Sequence, residues 1–211
     1  MVKPILKHNF IQLPKSIFIM SSSDNRPGPF LHFGTILFCG FLYACLFYIN
    51  DWLTHLLQAA PGVNWIYLPA GLRLFLVLIF GLPGALGIVA ASTIITFYRD
   101  FGIDPLTIIG IGLISGLAPY LARYLVIRNL KIATDLGNLN IQTIFLCILI
   151  FATLSATLHQ VWFEFRGFES GSLKNTLIML IGDVLGSLLL ISLAKVGIDF
   201  YKKFSKKQSL L

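Results

Sequence analysis

Apolar residues in this chain arrive in blocks close to 20 residues long, the length an α-helix needs to cross about 30 Å of hydrocarbon. A water-soluble protein of this size would instead show narrow amphipathic stripes. Six blocks can be read: Phe30 to Ile49, Val63 to Phe80, Ala85 to Tyr98, Pro105 to Ile127, Ile141 to Phe163 and Leu173 to Val196. A tight Gly81-Leu82-Pro83-Gly84 turn is expected between the second and third, of which the third is the shortest; these two could also be broken or re-entrant. The composition agrees. Apolar residues make up 56% of the 211 positions against 12% charged, and the mean hydropathy is +0.83. The predicted fold class is therefore all-α, a polytopic membrane bundle of about six transmembrane helices whose chief partner is the lipid bilayer.

Lysine and arginine set the orientation, because cytoplasmic loops carry their excess. With the N-terminus inside, the inner side receives Lys3, Lys7, Lys15, Arg26, Arg123, Arg128, Lys131, Lys195, Lys202, Lys203, Lys206 and Lys207. The outer side receives only Arg99, Arg166 and Lys174, together with Asp51, Asp100, Asp104, Glu164 and Glu169. Twelve against three predicts N-in and C-in. The net charge of +7 follows from this asymmetry and gives no reason to expect a nucleic-acid partner.

Three regions follow: a basic N-terminal segment over 1–29, a transmembrane domain over 30–196 and a basic tail over 197–211. The first 20 residues lack a long apolar core and a small-residue cleavage site, so a cleaved signal peptide is not expected. They read either as an interfacial helix, with Lys3, Lys7 and Lys15 set among Ile5, Leu6, Phe10 and Ile11, or as upstream of a start at Met20. The tail from Tyr201 to Lys207 is expected to anchor the last helix at anionic headgroups, with docking of a partner as the other use.

Most familiar chemistry is missing. The chain has no GxxxxGK[ST], HExxH, GxSxG or CxxC pattern, and neither a cofactor nor a metal is implied. Cys39, Cys45 and Cys147 sit in apolar blocks, where a thiol packs as a small hydrophobe. His55 and His159 are both expected near the outer face, as plain interfacial residues or as a meeting point for a metal or proton.

The informative residues are Arg73 and Asp183. A charge at the bilayer centre costs roughly 2.5–3.5 kcal/mol on insertion scales, so it normally faces a partner or a wet cavity. Arg73 lies ten residues after Val63 and Asp183 ten after Leu173, at similar expected depth and with opposite sign. A contact is predicted, direct or through a ligand. Gly182 and Gly186 flank Asp183 in a small-xxx-small pattern that admits a close neighbour, and Gly112 and Gly116 provide a second such face. Pro69 and Gly71 frame the turn before Arg73, where a carbonyl freed by Pro69 could line the same cavity. The arrangement reads as a structural pair, as a polar ligand pocket, or as both.

The stretch from Trp65 through Pro69, Ala70, Gly71 and Arg73 to the Pro83-Gly84 turn resembles the Trp/Pro-x-Gly segment of the membrane-associated sensor family, first type (MASE). Ile181-Gly182-Asp183-Val184-Leu185-Gly186 resembles the Gly-Asp-x-x-Gly segment of that family's late helix. The matches stand in the family's order and would frame most of residues 30–196. The resemblance implies an integral sensory region of a bacterial inner membrane, of the kind usually found ahead of histidine kinase, diguanylate cyclase or phosphodiesterase modules. The sequence departs from the family in two respects. It ends about 15 residues past the last apolar block, and it has fewer helices than the family leads one to expect. The implied role is a stand-alone module that binds an unknown small ligand and signals through a separate cytoplasmic protein. The alternative is a small substrate-binding transport component, similar to the S subunits of energy-coupling-factor transporters, which would join an ATPase pair. An intramembrane enzyme is not expected, since Asp183 has no second carboxylate or nucleophile to work with.

Overall fold

The computed structural model describes residues 29–99, 103–130, 141–168 and 171–208. Six α-helices follow in order: α1 (Pro29–Thr54), α2 (Leu68–Phe80), α3 (Leu82–Arg99), α4 (Pro105–Leu130), α5 (Ile141–Phe165) and α6 (Leu173–Gln208). The protein is an all-α, multi-pass membrane bundle. Five helices are long and apolar enough to cross a bilayer. Their outward faces carry Phe41, Phe97, Leu113 and Val161, large apolar side chains that water would not tolerate in such number. The N-terminal segment, with its two readings, and Lys131, Asp100 and Glu169 lie outside the described residues.

The second block is broken, the alternative left open for it in the sequence. Val63 to Phe80 is not one spanning helix. After a single turn of 3-10 helix at His55–Leu57, the chain forms a small antiparallel hairpin, β1 (Gln58–Ala60) and β2 (Val63–Asn64). Pro61-Gly62 makes its turn, with Gly62 at φ 75°, a left-handed conformation that glycine adopts without a Cβ penalty. The hairpin tucks into the bundle: Val63 is fully buried with Ala156 of α5 and with Ile178 and Met179 of α6. Helix α2 then begins only at Leu68 and has 13 residues, about 18–20 Å, short of a full span.

A helix that starts inside a bundle needs partners for its end groups. Asn50 of α1 supplies one, its Oδ1 accepting from the Leu68 N–H at 2.9 Å. At the other end Arg123 of α4 donates from Nε to the Leu78 carbonyl at 3.3 Å. Non-helical backbone at Trp65–Tyr67 is held the same way, with the Tyr67 N–H donating to the Gly182 carbonyl of α6 at 3.1 Å. Irregular chain of this kind persists within a membrane protein only where protein surrounds it. Pro69 falls in the first turn of α2, so its missing N–H would have pointed back at Trp65, outside the helix. It therefore frees no helical carbonyl. The proline that does so is Pro119, inside α4, which deprives the Ser115 carbonyl of its donor.

The turn after α2 is tighter than expected. Gly81 alone makes it, at φ 60°, and Leu82, Pro83 and Gly84 already belong to α3. Helix α6 is longer than its apolar block, continuing unbroken through 197–208. The other helices surround α2: α1 and α3 pack on one side in a core containing Cys39, Tyr43, Val77 and Ile88. On the other, α4 and α5 bring Ala118, Cys147 and Phe151 against Ala70 and Leu74.

Candidate functional site

Close approach of α2 to α6 builds the site. Gly186 leaves room for the Tyr67 carbonyl and Gly182 for that of Asn64; a Cβ at either position would collide with backbone. Gly71 does the same from the α2 side, where an added Cβ would lie 2.8 Å from the Ser187 Cα. This small-residue seam draws the two helices together around Arg73 and Asp183. Arg73 Nη2 lies 3.5 Å from Asp183 Oδ2, with both side chains 1% exposed. Gly112 and Gly116 serve a different seam, admitting Val89 and Ala85 of α3.

The pair is held from several sides but not saturated. The Arg73 guanidinium lies 5.3 Å from the ring centres of both Tyr67 and Phe151, within cation–π range. Its Nη2 also donates to the Ser155 hydroxyl at 3.3 Å. Arg73 Nε, Asp183 Oδ1 and Ser187 Oγ, all buried, have no hydrogen-bond partner. Buried polar groups rarely stand alone. Three together mark a place where the bundle keeps unmet hydrogen-bonding capacity.

Ser155 ties Arg73 to a buried polar chain that crosses the bundle. The Ser155 carbonyl can only accept, so His159 Nδ1, 2.8 Å away, carries the proton and donates to it. His159 Nε2 then faces the Ser115 hydroxyl at 3.4 Å, and Ser115 accepts from Ser92 at 3.0 Å. Helices α3, α4, α5, α2 and α6 are linked in that order through side chains that are all at least 95% buried. His159 is thus interior, not interfacial. His55 is exposed and bonds the Trp52 carbonyl of its own helix, so burial separates the two histidines. Among the described residues no group of three metal-ligating side chains occurs.

Beside this chain lies a cavity of about 200 Å³. It runs from Gln58, Arg99 and Phe168, near the end where α3 and α5 finish, to Arg73, Tyr67, Ser115 and His159 in the interior. Phe47, Ile95, Ile111 and Phe163 supply apolar wall, and the Tyr43 and Tyr67 hydroxyls meet at 3.2 Å. Two arginines line it, with no carboxylate among the described lining residues; Asp183 sits behind Arg73. At the same end of the bundle Arg99 pairs with Asp51 at 2.9 Å and Arg166 with Asp104 at 2.8 Å.

Of the residues singled out in the sequence, Arg73, Asp183, Gly71, Gly182 and Gly186 come together. Pro69 is buried at the start of α2 beside them. Trp65 does not join them: the residue is 44% exposed, and its backbone N–H donates to the Leu57 carbonyl at the hairpin. Cys39 and Cys147 are buried and Cys45 half-buried, all three as free thiols. Sequence reasoning passed over Ser92, Ser115, Ser155, Tyr43 and Tyr67, since single hydroxyls in apolar helices carry no pattern. Pro119 was the one available signal, four residues after Ser115.

Fold and site together define a multi-pass membrane protein with a polar cavity ending on a buried arginine. Comparison with protein families, curated proteins and solved structures finds no match to this chain.

Proposed function

We propose that the chain is a membrane-embedded ligand-binding module that serves signal transduction, a reading in keeping with its resemblance to the MASE family. The observation that carries it is Arg73. This cation is 1% exposed yet borders a cavity, and its Nε is unpartnered. A purely structural ion pair would gain most from complete pairing and dry packing, since an unsatisfied buried charge is costly. The unmet capacity beside open volume favours a small molecule as the missing partner. A ligand there would touch α2 and, through Arg73, bias Asp183 on α6. Helix α6, at 36 residues, is longer than a bilayer span requires, and the lysine and arginine bias favours a cytoplasmic position for its far end. It is the natural route to a separate signalling protein.

The test is thermal unfolding of the purified full chain with a set of small metabolites, in wild type and in two cavity-filling variants, Ile111→Trp and Thr96→Phe. A true ligand at about 100 times its Kd stabilises by about 2.7 kcal/mol. That shift is expected in wild type and absent in both filled variants. If no compound distinguishes them, the cavity is not a binding site. Mild cross-linking in native membranes then separates sensing from transport. Recovery of a kinase or cyclic-nucleotide enzyme supports the signalling role, whereas recovery of an ATPase pair with a coupling protein moves the module to transport.

A further inference from the structure

We infer that the cavity takes a small monocarboxylate with an apolar body, its carboxylate set against Arg73; this deepens the ligand-binding reading and rests on it.

Charge selects the class. The charged side chains lining the cavity are Arg73 and Arg99, with no acid among the described lining residues, so the walls favour an anion and disfavour an amine. Geometry selects the group. A guanidinium is a planar fork that carboxylates engage through two parallel hydrogen bonds. The two hydrogen bonds described for Arg73 both leave from Nη2, to Ser155 and Asp183, and Nε is unpartnered. The contact with Asp183 is long at 3.5 Å, where charge-assisted bonds are normally about 2.7–2.9 Å. Arg73 therefore holds donor capacity that its protein partner does not use.

The counter-ions keep the ligand's charge small, because each lining cation already has a carboxylate beside it and the site is close to neutral. Asp183 already opposes Arg73, and Asp51 opposes Arg99 at 2.9 Å. A phosphate monoester would bring about −1.5 to −2 into a site with neither cation unopposed. A single carboxylate asks less. Its tail would lie along Phe47, Ile111 and Phe163, apolar wall that hydrates poorly and gains from being covered. The volume sets the size: about 200 Å³ holds roughly seven waters at about 30 Å³ each, a space suited to a ligand of that bulk.

The probes are benzoate and 4-methylpentanoate, with benzamide and benzylamine as neutral and cationic counterparts, titrated into the full chain in nanodiscs by calorimetry and thermal shift. At least one carboxylate is expected to bind saturably, benzamide about 10- to 100-fold more weakly, and benzylamine without effect; the factor corresponds to one charge-assisted hydrogen bond. Arg73→Lys keeps a cation opposite Asp183 but loses the fork, and should weaken the carboxylate by a similar factor. Ile111→Trp leaves the pair intact and should abolish binding. Carboxylate binding that survives Ile111→Trp, benzamide binding as tightly as benzoate, or no binding of either carboxylate each overturns the inference. Cavity-dependent stabilisation by neutral or cationic metabolites alone would overturn the carboxylate assignment while leaving the ligand-binding reading in place.

Discussion

At the scale of residues, the buried pair explains why small side chains surround it. Arg73 and Asp183 can meet only because Gly71, Gly182 and Gly186 let backbone pass where a Cβ would block it. Removing one partner should be severe, since it strands the other charge. Asp183→Asn is expected to cost about 3–5 kcal/mol, read as a lowered unfolding midpoint of the purified protein. The reversed pair, Arg73→Asp with Asp183→Arg, should recover part of that loss if attraction between the two dominates. Equal damage in the reversed pair and the single variants would show that the Ser155, Tyr67 and Phe151 contacts of Arg73 matter more. The pair was legible in the sequence because an isolated charge in an apolar block is conspicuous. Its hydroxyl partners were not, because Ser92, Ser115 and Ser155 look like any small residues in a membrane helix until the fold aligns them.

At the scale of elements, the five long helices were readable from block length alone, whereas for α2 block length left a full span and a broken segment both open. Hydropathy cannot distinguish a spanning helix from an apolar hairpin followed by a half-helix, because both bury the same kinds of residue. The signals that separate them are local: the Pro61-Gly62 turn, and Asn50 available to accept from Leu68. Similar depth for Arg73 and Asp183 was expected from equal offsets along two full helices. The contact is reached by another route, the hairpin carrying the chain inward before α2 begins. Helix α4 is secured differently, at its N-terminal end. Asp104 caps it, Oδ1 accepting from the N–H groups of Leu106 and Thr107. The Thr107 hydroxyl, then Arg166, hold the Asp104 carboxyl well below the usual carboxylate range. A carboxyl with a depressed folded-state pKa contributes its stability in full above its unfolded value, about pH 4, and loses it as pH falls further. The gap between the thermal melts of wild type and Asp104→Asn should therefore be full at pH 7 and begin to narrow only below about pH 4. A gap that widens on acidification would contradict the cap.

At the scale of the whole molecule, the ends of α1, α3 and α5 and the starts of α4 and α6 share one face of the bundle, fixed by the Asp51–Arg99 and Asp104–Arg166 pairs. Which face looks outward rests on the lysine and arginine bias. Single cysteines at Ser172 and Arg128, in a chain with Cys39, Cys45 and Cys147 replaced, test it directly. Ser172→Cys should react with an impermeant maleimide on intact cells and Arg128→Cys only after lysis; the opposite pattern would invert the topology. The pairing of Arg73 with Asp183 spans 110 residues of sequence, and this has a consequence for how the protein is made. At about 5–20 residues per second, the ribosome delivers Asp183 roughly 5–20 s after Arg73. During that interval the cation on α2 has no counter-ion, and the seam that will bury it has not been synthesised. Completion of the last helix is thus the event that closes the centre of the molecule. A nascent chain stalled before α6 would carry an unpaired intramembrane arginine, the kind of mark by which membrane quality control can tell an unfinished protein from a finished one.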